Sequence, residues 1–137
     1  MATWNDVRRC ALALPETKEV VKHAAAAWNV KDKGFVRERP LRKQDLAALG
    51  ERAPKGAILG VRTADLSMKE ALLARDPDVY FTTPHFDGYP AVLVRLGRIS
   101  VRELRDLVIE AWLARAPERL AAAFLASRKP AQRRTSR

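Results

Sequence analysis

Two histidines, one cysteine and a scatter of carboxylates are the residues of this chain that could support catalysis or hold a metal. His85 follows Pro84 in a turn that also contains Phe86, Asp87 and Tyr89. A carboxylate beside an imidazole can orient a general base, but this spacing is equally that of a histidine holding a turn in shape, and the structural role is preferred. His23 precedes an alanine run without nearby partners. Cys10 lies beside the apolar stripe of an N-terminal helix, where a buried structural thiol is expected, because nothing local supplies the base a nucleophile needs. The chain contains no Cys-x-x-Cys or His-x-x-x-His, and therefore no recognisable ligand set. Nor do its six glycines fall into a phosphate-binding or nucleophile-elbow pattern. The expectation is a non-enzymatic protein with no catalytic residues, no metal and no cofactor.

Charge is the remaining chemistry. Lysine and arginine total 26 against 16 aspartates and glutamates, a formal net charge of +10. The excess is concentrated. Lys31, Lys33, Arg37, Arg39, Arg42 and Lys43 share their stretch with only Asp32 and Glu38, and Arg128, Lys129, Arg133, Arg134 and Arg137 share theirs with no acid. Concentrated charge of one sign attracts polyanions and releases their counterions on contact. The first six residues and Arg128, Lys129, Arg133 and Arg134 are the expected phosphate contacts, with DNA expected over RNA. Such contacts set affinity without reading sequence. Trp28 and Phe35 adjoin the basic strip and could stack on bases, although core positions are preferred for both. The alternative is a protein-interaction or small acidic-ligand module with a pocket near His85, Phe86 and Tyr89.

These residues must be positioned by elements that the hydrophobic pattern outlines. Thr3 caps a first helix with Trp4, Val7, Ala11 and Leu14 on one face, and Pro15 stops it. Strands are expected at 25–30 and 35–39, joined through Lys31-Asp32-Lys33-Gly34 with Gly34 supplying the positive φ of a hairpin turn. In strict alternation Phe35, Arg37 and Arg39 share one face. A short helix at 43–52 and a strand at 57–63 follow. Ser67 and Glu70 have capping-box spacing for a helix running to about Arg75. Strands at 79–83 and 91–97 flank the His85 turn. Ser100 and Glu103 open the strongest helix, with Val101, Leu104, Leu107, Val108, Ala111 and Trp112 along a broad stripe. Pro117 starts a last short helix with Leu120, Ala121, Phe124 and Leu125 facing inward.

The fold expected is α+β, a two-layer sandwich of a mainly antiparallel sheet with helices on one face, in the order α-β-β-(α)-β-α-β-β-α-α. At 137 residues, 47% of them hydrophobic, the chain suits one domain, here 1–127. The basic segment 128–137 is expected to be a flexible tail. A lone cysteine excludes an internal disulfide and points to a reducing compartment. With no membrane-length apolar run and no signal-peptide pattern, a cytoplasmic protein is expected, with no membrane partner, as a monomer or weak dimer.

The stretch from Asp76-Pro77-Asp78-Val79-Tyr80-Phe81 through Thr82-Thr83-Pro84-His85-Phe86-Asp87-Gly88-Tyr89-Pro90 to Ala91-Val92-Leu93-Val94-Arg95-Leu96 resembles the MmcQ/YjbR family of small bacterial proteins. The helix Val101–Trp112 and the early Ala11-Leu12-Ala13-Leu14-Pro15-Glu16 are similar to that family's C-terminal and N-terminal helices. The match runs from about Thr3 to Ala126 and is most specific at Pro84–Pro90. It implies a frataxin-like (CyaY-like) two-layer fold and a proposed "double wing" DNA-binding role. Iron held on an acidic ridge, which that fold also suggests, is rejected because the first helix sets Arg8 and Arg9 beside Asp6. The arginine-rich segment after Ser127 lies beyond the shared core.

Overall fold

The computed structural model describes the backbone of residues 1–135 and the side chains through Arg128. Its elements are α1 (Trp4–Leu12), β1 (Thr17–Lys22), β2 (Ala25–Val30), β3 (Lys33–Glu38), α2 (Lys43–Leu49), β4 (Ile58–Arg62), α3 (Leu66–Arg75), β5 (Tyr80–Phe81), β6 (Ala91–Arg95), α4 (Val101–Arg115) and α5 (Glu118–Thr135). The six strands form one open sheet in the order β1-β2-β3-β4-β6-β5, and every neighbouring pair is antiparallel. The α+β class is as expected. β1 is additional, an edge strand whose two valines are adjacent rather than alternating and are both exposed.

Local chemistry fixes the helix starts. Thr3 Oγ1 accepts the Asp6 N–H while the Asp6 carboxylate accepts that of Thr3, a reciprocal cap. Ser100 Oγ accepts the N–H of Glu103 at 3.1 Å. For α3 the cap is Asp65, whose carboxylate accepts from Met68 N at 2.8 Å, so the helix starts at Leu66 rather than after Ser67. An aspartate before an apolar residue competes well with serine for this role.

The hairpin turns correct the glycine assignment. Val30 pairs with Lys33, leaving Lys31 and Asp32 as a two-residue turn with φ of 49° and 67°. Lys22 pairs with Ala25, and His23 and Ala24 (φ 53° and 63°) make a second turn of the same kind. Two positive-φ residues in succession match the right-handed twist of the flanking strands. Gly34 instead sits inside β3 with its Cβ position 3.3 Å from Asn29 Oδ1, next to a register shift in β2 at Trp28/Asn29.

The two sheet faces are unlike. On one, Trp28, Val36, Leu59, Val61, Val92, Val94 and Tyr80 meet α1 and α4 in the main core. Burying each such apolar side chain contributes roughly 1.5–3 kcal/mol. The Trp112 indole N–H donates to Pro15 O at 3.1 Å and its ring lies 5.0 Å from that of Phe124, which ties α4 to the end of α1 and to α5. In α5, Leu120, Ala121 and Phe124 are half-buried, whereas Leu125, expected to face inward, is exposed. The other face carries a smaller cluster of Ile58, Phe81, Phe86, Ala91 and Leu93, with Leu41 and Leu49 from the α2 region packed on it. No helix among the described residues is long and apolar enough to cross a membrane.

A candidate anion-binding cleft at the split between two strands

The cleft follows from the sheet register. Across the smaller-cluster face, Arg37 of β3 pairs with Gly60 of β4, Gly60 with Leu93 of β6, and Leu93 with Phe81 of β5. Gly60 presents no side chain, and the stems of Arg39 and Arg37 flank it, 3.4 and 3.6 Å from where its Cβ would stand. The pairing of β3 with β4 ends at Val36 and Val61. There a cleft of about 250 Å³ opens, lined by Arg37, Gly60, Arg62, Phe86, Tyr89 and Arg115 together with strand residues of β2, β3, β4 and β6.

Its rim is the Pro84–Pro90 loop, held from three sides. The buried Lys69 of α3 donates from Nζ to Phe86 O at 2.6 Å and to Tyr89 O at 2.9 Å. Burial lowers the pKa of this ammonium, and Asp87 opposes that. Arg62 donates to Tyr89 Oη at 2.8 Å and lies 4.8 Å over its ring. Beneath, the Arg39 guanidinium lies 5.2 Å from the Phe86 ring centroid. Tyr89 nevertheless remains 45% exposed, so a fixed aromatic face stands at the mouth of the cleft.

Arg39 itself is removed from the expected phosphate contacts. It is 2% exposed, and its Nη2 lies 3.1 Å from Asp45 Oδ2, which is 1% exposed. Arg39 shares its face with Arg37, as alternation predicts, but beyond Pro40 α2 sets Asp45 against it and takes it out of solvent. The same carboxylate accepts the N–H of Arg42 at 2.9 Å, closing the start of α2. Burial raises the pKa of Asp45, but the Arg42 N–H and the Arg39 charge outweigh it and leave the group below its ordinary value.

The other expected contacts separate into groups. Lys31 is exposed at the hairpin tip and pairs with Glu16 at 2.5 Å. Lys33 and Lys43 are exposed. Arg37 and Arg42 come close enough to repel each other. Burial, and then the charges of Arg39 and Arg42, hold Arg37 below the ordinary arginine value, with only Tyr89 acting in the opposite sense. Arg128 lies elsewhere, 5.2 Å over Phe124 and beside Arg9 and Arg105 on the helical layer. The side chains of Lys129, Arg133 and Arg134 lie outside the described residues. Of the expected pocket, Phe86 and Tyr89 line the cleft, whereas His85 points its exposed ring against the edge of Phe86.

Sequence reasoning missed Arg62 and Arg115. Each is a single arginine in an apolar stretch, and neither is near the other basic segments in sequence. Both Nε atoms are buried without a hydrogen-bond partner. Among the described residues, no carboxylate lines the cleft, and none forms an ion pair with Arg37, Arg42, Arg62 or Arg115. Elsewhere Arg8 pairs with Glu19, Arg75 with Glu103 and Arg98 with Asp78, while Arg95 and Arg102, like the cleft arginines, pair with no carboxylate of the described residues. The described residues also contain no group of three or more His, Cys, Asp or Glu placed to hold a metal.

An open six-stranded antiparallel sheet with its main helical layer on one face, and a basic, aromatic-rimmed cleft at a strand split, defines a two-layer α+β domain. The chain belongs to the YjbR family, whose profile matches residues 12–114. It is 55% identical over 130 residues to uncharacterized protein Rv2570 of Mycobacterium tuberculosis and to uncharacterized protein Mb2600 of Mycobacterium bovis, alignments covering 93% of this chain and 98% of each relative. The crystal structure of Deinococcus radiodurans protein DR2400, a DUF419 domain, is similar at a TM-score of 0.62 and 18% identity, over 82% of this chain and 78% of that one. That likeness shows the fold.

Proposed function

We propose that this chain is a non-enzymatic DNA-binding domain that grips phosphate through Arg37, Arg42, Arg62 and Arg115, with Lys33 and Lys43 adding outlying charge. One observation carries the proposal. Three arginines, Arg37, Arg62 and Arg115, line a cleft to which the described residues contribute no carboxylate, and the charge of Arg42 reaches Arg37 at its edge. Guanidinium groups present a planar fork of donors that matches a phosphate, and a charge-assisted pair of this kind is roughly twice as strong as a neutral hydrogen bond. Donors left buried without an acceptor cost about 1–3 kcal/mol each, a cost that an anionic ligand removes. The exposed His85, with no carboxylate partner among its described contacts, supports binding over catalysis. DNA as the target, with a lone thiol at Cys10, carries a cytoplasmic location with it.

Fluorescence anisotropy of the full chain with short single- and double-stranded DNA, titrated with salt, tests the proposal. Binding in the micromolar range is expected, weakening by at least tenfold between about 50 and 200 mM salt. Exchanging both Arg37 and Arg42 for glutamine lowers affinity and flattens the salt slope. Replacing Arg128, Lys129, Arg133 and Arg134 by glutamine lowers affinity less. Absence of binding to either form of DNA, or an affinity indifferent to salt, refutes the proposal.

A further inference from the structure

We infer that the cleft takes an unpaired nucleotide, so that the preferred ligand is single-stranded DNA rather than duplex. This rests on the phosphate-binding function proposed above and narrows it. The cationic groups are recessed: the Nε atoms of Arg62 and Arg115 are buried at a gap between β3 and β4, not raised on a convex surface. Duplex phosphates lie along the outer rails of a stiff cylinder, where exposed and protruding cations reach them best. A backbone of unpaired nucleotides bends, and one phosphate can enter a cleft of about 250 Å³. At the mouth, the ring of Tyr89 is exposed and cannot swing freely, because Arg62 holds its hydroxyl and Lys69 its carbonyl. A fixed aromatic face beside a basic groove is how proteins hold unpaired bases without reading their identity. Duplex bases, stacked on their own neighbours, offer no such face.

The floor adds a size limit. Gly60 leaves room between the stems of Arg37 and Arg39, and any side chain there would fill the space the phosphate needs. Arg39 does not compete for the ligand, since Asp45 holds it. The ligand charge is therefore met by Arg37, Arg62 and Arg115.

The test uses the full chain, with labelled oligo-dT of about a dozen nucleotides and a duplex of the same length at equal salt. Oligo-dT is expected to bind roughly tenfold tighter than duplex. Arg115→Gln weakens oligo-dT by about tenfold and makes its log–log salt slope shallower by about 0.7, while Arg102→Gln, on the exposed side of α4, changes neither. Tyr89→Leu weakens oligo-dT more than Tyr89→Phe, which keeps the ring and loses only its tether to Arg62. Circular dichroism melting establishes that each variant is folded. Duplex bound as tightly as oligo-dT, or equal losses from Arg115→Gln and Arg102→Gln, overturns the inference and leaves the proposed DNA binding standing. Absence of binding to both forms removes the proposed function itself.

Discussion

Replacing Asp45 by asparagine is the sharpest test of how this fold handles its charge. The carboxylate is 1% exposed and faces Arg39, which is 2% exposed, at 3.1 Å. Asparagine keeps the size and can still accept the Arg42 N–H, so the substitution removes little besides the negative charge. Arg39 cannot escape by losing its proton, and its side chain is fixed between Gly60 and the Phe86 ring. Breaking a buried pair in this way costs about 3–5 kcal/mol. For a domain of this size that lowers the melting temperature by roughly 10–20 °C. The double variant Arg39→Met, Asp45→Leu removes both charges and restores stability to within about 2 kcal/mol of the native chain. Urea unfolding followed by circular dichroism at pH 7 gives all three values. The pH dependence has a definite sign. Because the folded Asp45 pKa lies below its ordinary value of 3.8, its contribution is complete above the unfolded pKa and is lost as pH falls through the folded one. Native protein therefore loses stability below about pH 4 more steeply than Asp45→Asn does. DNA affinity supplies an independent check, since Arg39→Met, if folded, leaves it unchanged. An Asp45→Asn variant within about 1 kcal/mol of native, or an Arg39→Met variant that stays folded but loses DNA binding, refutes the assignment of Arg39 to the core.

Three further outcomes are expected. Lys69→Met leaves the carbonyls of Phe86 and Tyr89 without their donor; it costs roughly 1–3 kcal/mol, and hydrogen exchange at residues 86–90 accelerates more than in β3 or β4. Replacing Lys31-Asp32 or His23-Ala24 by Asn-Gly, the pair best suited to two successive positive φ values, stabilises the chain by roughly 0.5–1 kcal/mol per turn in thermal melts. Burial pushes the Cys10 thiol above its ordinary pKa, with Arg105 only partly offsetting it, so its reaction with a disulfide reagent near pH 8 is about tenfold slower than that of an unfolded control.

The elements that the sequence made legible are those whose stabilisation is local. Thr3 and Ser100 cap their helices through bonds to residues three positions away, and the stripe of Leu104, Leu107, Val108, Ala111 and Trp112 declares its buried face by spacing alone. β1 was hidden because its pairing with β2, not its own composition, makes it a strand: Val20 and Val21 are adjacent, and neither is buried. Gly34 drew the turn assignment because glycine is the usual source of positive φ, yet the pairing of Val30 with Lys33 forces that conformation onto Lys31 and Asp32. Alternation set Arg39 on the same face as Arg37, and the two stems do flank Gly60, but it does not show that the chain beyond Pro40 covers that part of the face. The Asp45 that neutralises it lies one element further on.

The same contrast explains why the charged stretch 31–43 was informative and incomplete as a guide to the site. Net charge counts residues, whereas a ligand responds to charge that the protein has not already answered. Of the six basic residues in that stretch, Arg39 is matched inside the fold and Lys31 at its surface, both by carboxylates of this chain. Lys33, Arg37, Arg42 and Lys43 remain, and of these Arg37 lines the cleft with Arg62 and Arg115, which no local excess announces. Those two reach the cleft because β4 and α4 both end near the point where β3, still paired with β2, parts from β4. The parting of β3 from β4 thus does two things at once: it opens a gap that side chains of the sheet do not fill, and it gathers arginines that are distant in sequence around that gap. A site built this way depends on topology more than on the number of arginines, so moving the same charges to the exposed face of α4 would preserve the net +10 and lose the preference for an unpaired strand.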